Sequence, residues 1–186
     1  MTRLPAQQRR PQIVAAARRL FAQRGYDATT TREIAAAAGV SDALIYRHFP
    51  GKEALLRAIV DDGVARFSEL DPGAPSGPED LVLRIGRAFV AACEEQLDLL
   101  TLLISQQHVL GDDTRFVEFV DRAAIGLGGR LDPAHPDRGY LLARSYMGSL
   151  VAFVLLQRRL GMDRVHPVDA DEYVRTAAAP VIEALR

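Results

Sequence analysis

The residues of this chain whose types and spacing could do chemistry lie between Thr30 and Lys52. Their chemistry is hydrogen bonding to a polyanion rather than bond making. Hydroxyls stand at the starts of helical segments (Thr30, Thr31 and Ser41), followed by Tyr46, Arg47, His48 and Lys52. Exposed amides at a helix N-terminus favour phosphate, so hydroxyls placed there add donors where donors are already gathered. An arginine projecting from a helix can reach guanine through a bidentate contact in the major groove. Tyr46 and His48 suit phosphate oxygens. Lys52, the only lysine, opens the next helical segment, where its ammonium and the local amides can hold one phosphate between them. The other reactive residue types are not arranged for catalysis. His48, His108, His135 and His166 show no metal-ligand spacing with one another or with Glu. Gly126-Leu127-Gly128-Gly129 follows a helical pattern rather than a strand, lacks Lys-Ser/Thr, and reads as a helix stop. Cys93 lies in an apolar helix beside Glu94 and Glu95, which disfavours a thiolate. No metal, cofactor or enzymatic activity is expected.

Positioning these donors requires two short helices and a tight turn. Strand alternation is scarce and helical periodicity frequent, so the fold class is all-α. A first helix over 8–24 carries Ile13, Ala17, Leu20 and Phe21 on one face, with Gly25 ending it. Thr30-Thr31-Arg32-Glu33 fits a capping box that starts a second helix ending at Gly39. Ser41 caps a third over 42–48. This is a helix-turn-helix pattern: Ala35 is small where the helices cross, Gly39 tolerates positive φ in the turn, and Val40, Ile45 and Phe49 anchor the recognition helix. Ile45 and Phe49 share a face, which leaves Asp42, Ala43, Tyr46 and Arg47 to point outward. The candidate DNA-contacting set is Thr30, Thr31, Arg32, Ser41, Asp42, Ala43, Leu44, Tyr46, Arg47, His48 and Lys52.

Residues 10–57 resemble the N-terminal domain of TetR/AcrR-type bacterial regulators. The resemblance rests on LFAQRGYDATT closing the entry helix, on TREIAAAAGVS, and on IYRHFPGKEALL with its YxHFxxKExL pattern. It implies that Thr31, Ser41, Tyr46, Arg47, His48 and Lys52 touch DNA. Two positions depart from the family's habit. Asp42 stands where a basic residue, Pro or Thr is common, so it is expected to weaken non-specific affinity and contribute to base choice. Gly51 replaces a polar cap, so Lys52 is expected to be less rigidly held.

The remaining residues are expected to pair two such heads and to sense a ligand. Helices are expected near 52–70, 79–97, 98–110, 113–127, 137–160 and 170–185. The loop Asp71 to Pro78, Gly111-Asp112-Asp113, Gly126 to Pro136, and Gly161 to Pro167 break them, and Pro180 should kink the last. Leu81, Ile85, Phe89 and Ala92 form a stripe on the helix over 79–97. The domains are read as 1–52 for DNA binding, 52–70 as a connecting helix, and 71–186 for ligand sensing and dimerisation. Two heads on a dimer read half-sites about 34–36 Å apart or a multiple of it. The candidate interface is Gly148, Ser149, Ala152, Leu155, Leu156, Tyr173, Val174, Ala177 and Val181. By the family's logic the central helices surround a small, largely apolar effector. Candidate lining residues are Phe89, Cys93, Leu103, Gln107, Phe119 and Met147, with Gln106 and His108 able to orient it. The sequence is thus read as a homodimeric repressor released from a palindromic operator by that effector. Alternatives are an activator on the same fold, a ligand-independent nucleic-acid binder, or a helical adaptor.

Charge and composition agree. Of 186 residues, 48% are hydrophobic and 25% charged, with a net charge of −1. Residues 1–52 hold nine basic and three acidic residues, a balance of +6, and the remainder is −7. A positive end on a negative body suits one end that meets a polyanion. One cysteine excludes an internal disulfide. No unbroken apolar run nears the roughly 20 residues of a membrane span. MTRLPAQQRRPQ has no signal-type apolar stretch, so a cytoplasmic location is expected.

Overall fold

The computed structural model describes residues 6–111 and 113–186. Residues 1–5, and Asp112 of the expected Gly111-Asp112-Asp113 break, lie outside the described residues. The elements are α1 (Ala6–Arg24), α2 (Thr31–Ala37), α3 (Asp42–His48), α4 (Lys52–Ser68), α5 (Pro78–Glu95), α6 (Leu97–Ser105), α7 (Gln107–Leu110), α8 (Arg115–Leu131), α9 (Pro136–Val154) and α10 (Ala170–Ala184). A π turn, Leu155–Arg159, extends α9, and a 3-10 turn, Met162–Arg164, follows it. Among the described residues there is no strand. The chain divides into two compact units. One runs through Gly63 and includes Asp98–Asp113; the other holds Val64–Leu97 and Thr114–Arg186.

The first unit is built on the residues expected to be apolar anchors. Ile13, Ala17, Phe21, Ile34, Ala35, Ile45, Phe49, Leu55, Leu56 and Ile59 are all buried. Gly25, with φ of +87°, donates its N–H to the Phe21 carbonyl at 2.9 Å and ends α1 as a left-handed cap should. Residues 98–113 are held to α4 at two points. Gly63 has no Cβ because the Leu99 side chain occupies that space. Arg57 bridges Asp113 at 2.8 Å, and the Asp113 side chain is only 3% exposed. The single helix expected over 98–110 is two. At Gln106 the chain turns, and the Gln106 carbonyl accepts from the Val109 and Leu110 amides, each at 3.0 Å, to start α7.

In the second unit α5, α8, α9 and α10 pack into a bundle. The buried residues of α5 are Leu81, Val82, Gly86, Val90 and Cys93; of the expected stripe Leu81 is inside, while Ile85, Phe89 and Ala92 are half-buried on its flank. Gly86 leaves room for Tyr146 and Val174, and the Tyr146 hydroxyl donates to the Val82 carbonyl at 3.1 Å. Burial pushes that phenol up to about 12. The expected helix stop at Gly126 to Gly129 does not occur. α8 continues to Leu131, because Gly128 meets Gly139 of α9 backbone to backbone and that packing outweighs glycine's poor helix propensity. Pro180 lies inside α10 on its exposed side, and the helix runs through it to Ala184.

Pro136–Arg159 is long and apolar enough to cross a membrane by length and composition alone, although polar residues interrupt its apolar run. The same properties suit the central helix of a folded unit. α9 packs on α5, α8 and α10, burying Ala143, Tyr146, Leu150, Phe153 and Val154.

The α8–α9 connection is pinned by Asp132, whose side chain is 6% exposed. Its carboxylate accepts from Arg138 Nε at 2.5 Å, from the His135 backbone N–H at 3.2 Å, and lies 3.1 Å from His135 Nδ1. Arg138 and then His135 hold its pKa below the ordinary 3.8. A depressed folded-state pKa means the stabilisation is present above the unfolded value and is lost as pH falls through the folded one. Asp132→Asn is therefore expected to be less stable than the parent at neutral pH. It should also show a shallower loss of stability below about pH 4. Urea unfolding across pH tests this, and parallel pH profiles would refute it.

Candidate nucleic-acid interface

The helix-turn-helix geometry is set by local chemistry. Thr30 is the N-cap of α2: its Oγ1 accepts the Glu33 N–H at 3.2 Å, while a Glu33 carboxylate oxygen accepts the Thr30 N–H at 2.8 Å, which completes the capping box. The Thr30 bonds, and then Arg24, hold the Glu33 carboxyl below its usual range. Arg24 Nη1 bridges Glu33 at 3.1 Å and ties the end of α1 to the start of α2. Gly39, with φ of +63°, makes the turn, and the Val40 N–H bonds the Ala35 carbonyl at 3.0 Å. Val40 is half-buried, whereas Ile45 and Phe49 are 0% and 2% exposed.

With that seam inside, the opposite flank of α3 is outside. Asp42, Ala43, Tyr46 and Arg47 are exposed, and Leu44 and His48 are half-buried. Thr31 Oγ1 and the Tyr46 hydroxyl lie 3.2 Å apart, so the start of α2 and the middle of α3 share one surface. Arg32 and Ser41 are exposed as well. Ser41 caps α3 only through its carbonyl, which accepts from Leu44 and Ile45 at 3.0 and 3.3 Å; its hydroxyl makes no capping bond, contrary to the expected side-chain cap. Asp42, in the first turn, places a carboxylate at the positive end of α3.

Lys52 is held firmly, contrary to the expectation drawn from Gly51. Its Nζ donates to the Tyr26 carbonyl at 2.9 Å and the Asp27 carbonyl at 3.2 Å, and sits 4.6 Å from the centre of the Tyr26 ring. The α1–α2 loop thus supplies what a polar cap would have supplied. Arg10, outside the expected set, lies over the Phe49 ring at 5.1 Å. A basic residue in the entry helix with an aromatic closing α3 was the available signal, but only the fold brings them together.

Matches to known proteins concentrate on this head. Residues 13–59 match the family model described as bacterial regulatory proteins, tetR family. Over these residues the chain is similar to the DNA-binding head of that family. Relatives include the HTH-type transcriptional regulator YvkB of Bacillus subtilis (strain 168), 34% identical over 54% of this chain and 53% of that protein. Another is the HTH-type transcriptional repressor KstR2 of Rhodococcus jostii (strain RHA1), 41% identical over 33% and 32%. The chain thus spans about half or less of the length of these curated relatives. Whole-chain likeness is structural. A TetR-like transcriptional regulator from Rhodococcus sp. RHA1 superposes with TM-score 0.72 over 98% of both chains at 22% identity, which speaks for the fold. A TetR-family transcriptional regulator from Streptomyces coelicolor superposes with TM-score 0.65 over 98% of this chain and 83% of the other, at 26% identity.

The candidate lining residues divide between the units. Leu103 (half-buried) and Gln107 (exposed) belong to the first; Phe89, Cys93, Phe119 and Met147 belong to the second. Phe89 and Phe119 flank Phe67 at 5.9 and 6.3 Å. Cys93 is fully buried, and burial pushes its thiol up to about 12. Of the candidate interface residues, Gly148, Ala152 and Leu156 are exposed along α9, while Ser149, Leu155, Tyr173 and Ala177 are half-buried. Tyr173 stacks on Phe153 at 4.2 Å. Val174 and Val181 are buried within this chain at 1% and 4%.

Proposed function

We propose that the protein is a sequence-specific DNA-binding transcriptional regulator, a repressor that acts as a homodimer in the cytoplasm and leaves its operator when a small, largely apolar ligand binds. The observation that carries this reading is the two-sided recognition helix, with Ile45 and Phe49 buried and Tyr46 and Arg47 turned out beside Thr31. In it, Arg47 reads a base edge. Thr30, Thr31, Arg32, Ser41, Tyr46 and His48 meet phosphates, with Lys52 held over Tyr26 at the edge of that surface. Asp42, Ala43 and Leu44 face the groove. The division into a DNA-binding segment over 1–52, a connecting helix over 52–70, and a sensing and dimerising segment over 71–186 is part of this proposal. The second protomer docks on the exposed line Leu141, Gly148, Ala152 and Leu156, with Ser149, Leu155, Tyr173 and Ala177 flanking it and Val174 and Val181 supporting α10 from behind. The effector is taken by the second unit, in the region of Phe89, Cys93, Phe119 and Met147. Relatives named repressors, such as KstR2, favour repression over activation.

Fluorescence anisotropy with duplex DNA tests the central claim. One pseudo-palindrome should bind roughly a thousandfold or more tighter than random duplex. Arg47→Ala should cost about 1–3 kcal/mol on that site and narrow the gap to random DNA. Equal affinity for every duplex would favour the adaptor reading instead.

A further inference from the structure

Arg24, Arg57, Arg87, Arg138 and Arg158 each pair with a carboxylate, which neutralises their charge within the molecule. Arg10 and Lys52 are held differently. Arg10 Cζ lies 5.1 Å from the centre of the Phe49 ring, and Lys52 Nζ 4.6 Å from that of Tyr26. The negative face of a ring fixes a cation in place without cancelling its charge. The charge of Lys52 has a use in the proposed function; that of Arg10 has none so far.

Arg10 stands where helix register calls for an apolar residue. α1 buries Ile13, Val14, Ala17 and Phe21 along one line, and Arg10 continues that line one turn before Ile13 and Val14. A leucine there would cover Phe49 equally well. Arg10 is exposed instead, α1 contains no acidic residue, and among the described residues no carboxylate pairs with it. A guanidinium laid on a ring keeps its fork of N–H donors at the rim, ready for an anion. Its place in the fold supplies one. Phe49 closes α3, its ring lies 6.4 Å from that of His48, and Lys52 opens α4 three residues on. Arg10 is thus set beside the passage from α3 to α4, between two residues that the proposed function puts against phosphates.

We propose that Arg10, positioned by the Phe49 ring, binds a backbone phosphate of the DNA, so that the entry helix belongs to the footprint although it lies outside the helix-turn-helix. The contact reads no base. It adds affinity on every duplex alike and fixes the register of α3 along the strand. This rests on the proposed function and names a further residue of the same site. Because the contact is independent of sequence, it is measured without knowing the operator.

The test is fluorescence anisotropy of the full chain with a mixed-sequence DNA duplex over a series of salt concentrations, beside a thermal melt of each variant. Arg10→Met keeps an unbranched stem over the ring and removes the charge. It should bind roughly tenfold more weakly and melt with the parent. The slope of log affinity against log salt should become shallower by about 0.9 for each protomer engaged, one phosphate fewer being neutralised. Arg10→Lys keeps the charge and should keep the parent slope. Arg130→Met removes an exposed arginine of the second unit and should leave the slope alone. An unchanged slope in Arg10→Met, or an equal change in Arg10→Lys or Arg130→Met, would overturn the proposal. Should Arg10→Met melt below the parent, Arg10→Gln is read in its place. A parent that binds no duplex at all ends the proposed function and this inference together, whereas a parent that binds while Arg10→Met keeps its slope ends this inference alone.

Discussion

Gly139→Ala is expected to lose about 3 kcal/mol of stability, near the top of the range for overpacking, because the atoms in its way are backbone. A Cβ at Gly139 would collide with the Gly128 carbonyl, and one at Gly128 would lie 2.5 Å from the Gly139 carbonyl carbon and the Tyr140 nitrogen. No side chain can rotate to relieve this, so α8 and α9 must separate. Gly126, on the same helix, provides the control: its Cβ would meet nothing within 4 Å. Gly126→Ala should stabilise by about 0.5–1 kcal/mol through helix propensity alone. Thermal melts of the three variants should put Gly139→Ala and Gly128→Ala well below the parent and Gly126→Ala slightly above it. A parent-like melt for Gly139→Ala would show that the helices do not meet at these glycines.

Phe49→Ala is expected to cost about 3–5 kcal/mol, the usual range for deleting a buried aromatic ring. The ring is 2% exposed, lies under Arg10 at 5.1 Å, and closes α3 where the Phe49 N–H bonds the Ile45 carbonyl at 2.8 Å. Tyr46, one turn earlier, is 54% exposed. Tyr46→Ala should change stability by no more than about 0.5 kcal/mol, since it removes a surface side chain and one exposed hydrogen bond. Under the proposed function it should nonetheless weaken DNA binding, whereas Phe49→Ala abolishes binding by loosening α3. Urea unfolding paired with anisotropy separates the two. If Tyr46→Ala destabilises as much as Phe49→Ala, α3 is not two-sided and the DNA reading fails with it.

How much was legible in the sequence depended on how local the governing physics is. The capping box at Thr30 and Glu33, the turn at Gly39 and the Ile45/Phe49 seam are short-range patterns, and they stand as read. Gly126 to Gly129 misled because glycine's backbone cost is visible locally while the α9 backbone that rewards Gly128 is not. Lys52 misled for the same reason: its carbonyl partners lie 25 and 26 residues away. The Ser41 hydroxyl and the break at Gln106 depend on side-chain geometry within one turn, finer than residue type can specify. The attachment of Asp98–Asp113 to α4, through Leu99 and the Arg57–Asp113 pair, leaves no periodic trace at all.

That attachment bears on modular exchange. The chain passes between its units after Gly63, after Leu97 and after Asp113, so no one cut releases the first unit whole. A chimera spliced near residue 70 would import a foreign stretch against Gly63 and leave the Arg57 guanidinium with Glu53 but without Asp113. Transplanting that unit intact requires carrying the insert along with it, or choosing a recipient that already places a bulky aliphatic and a carboxylate at the same two spots.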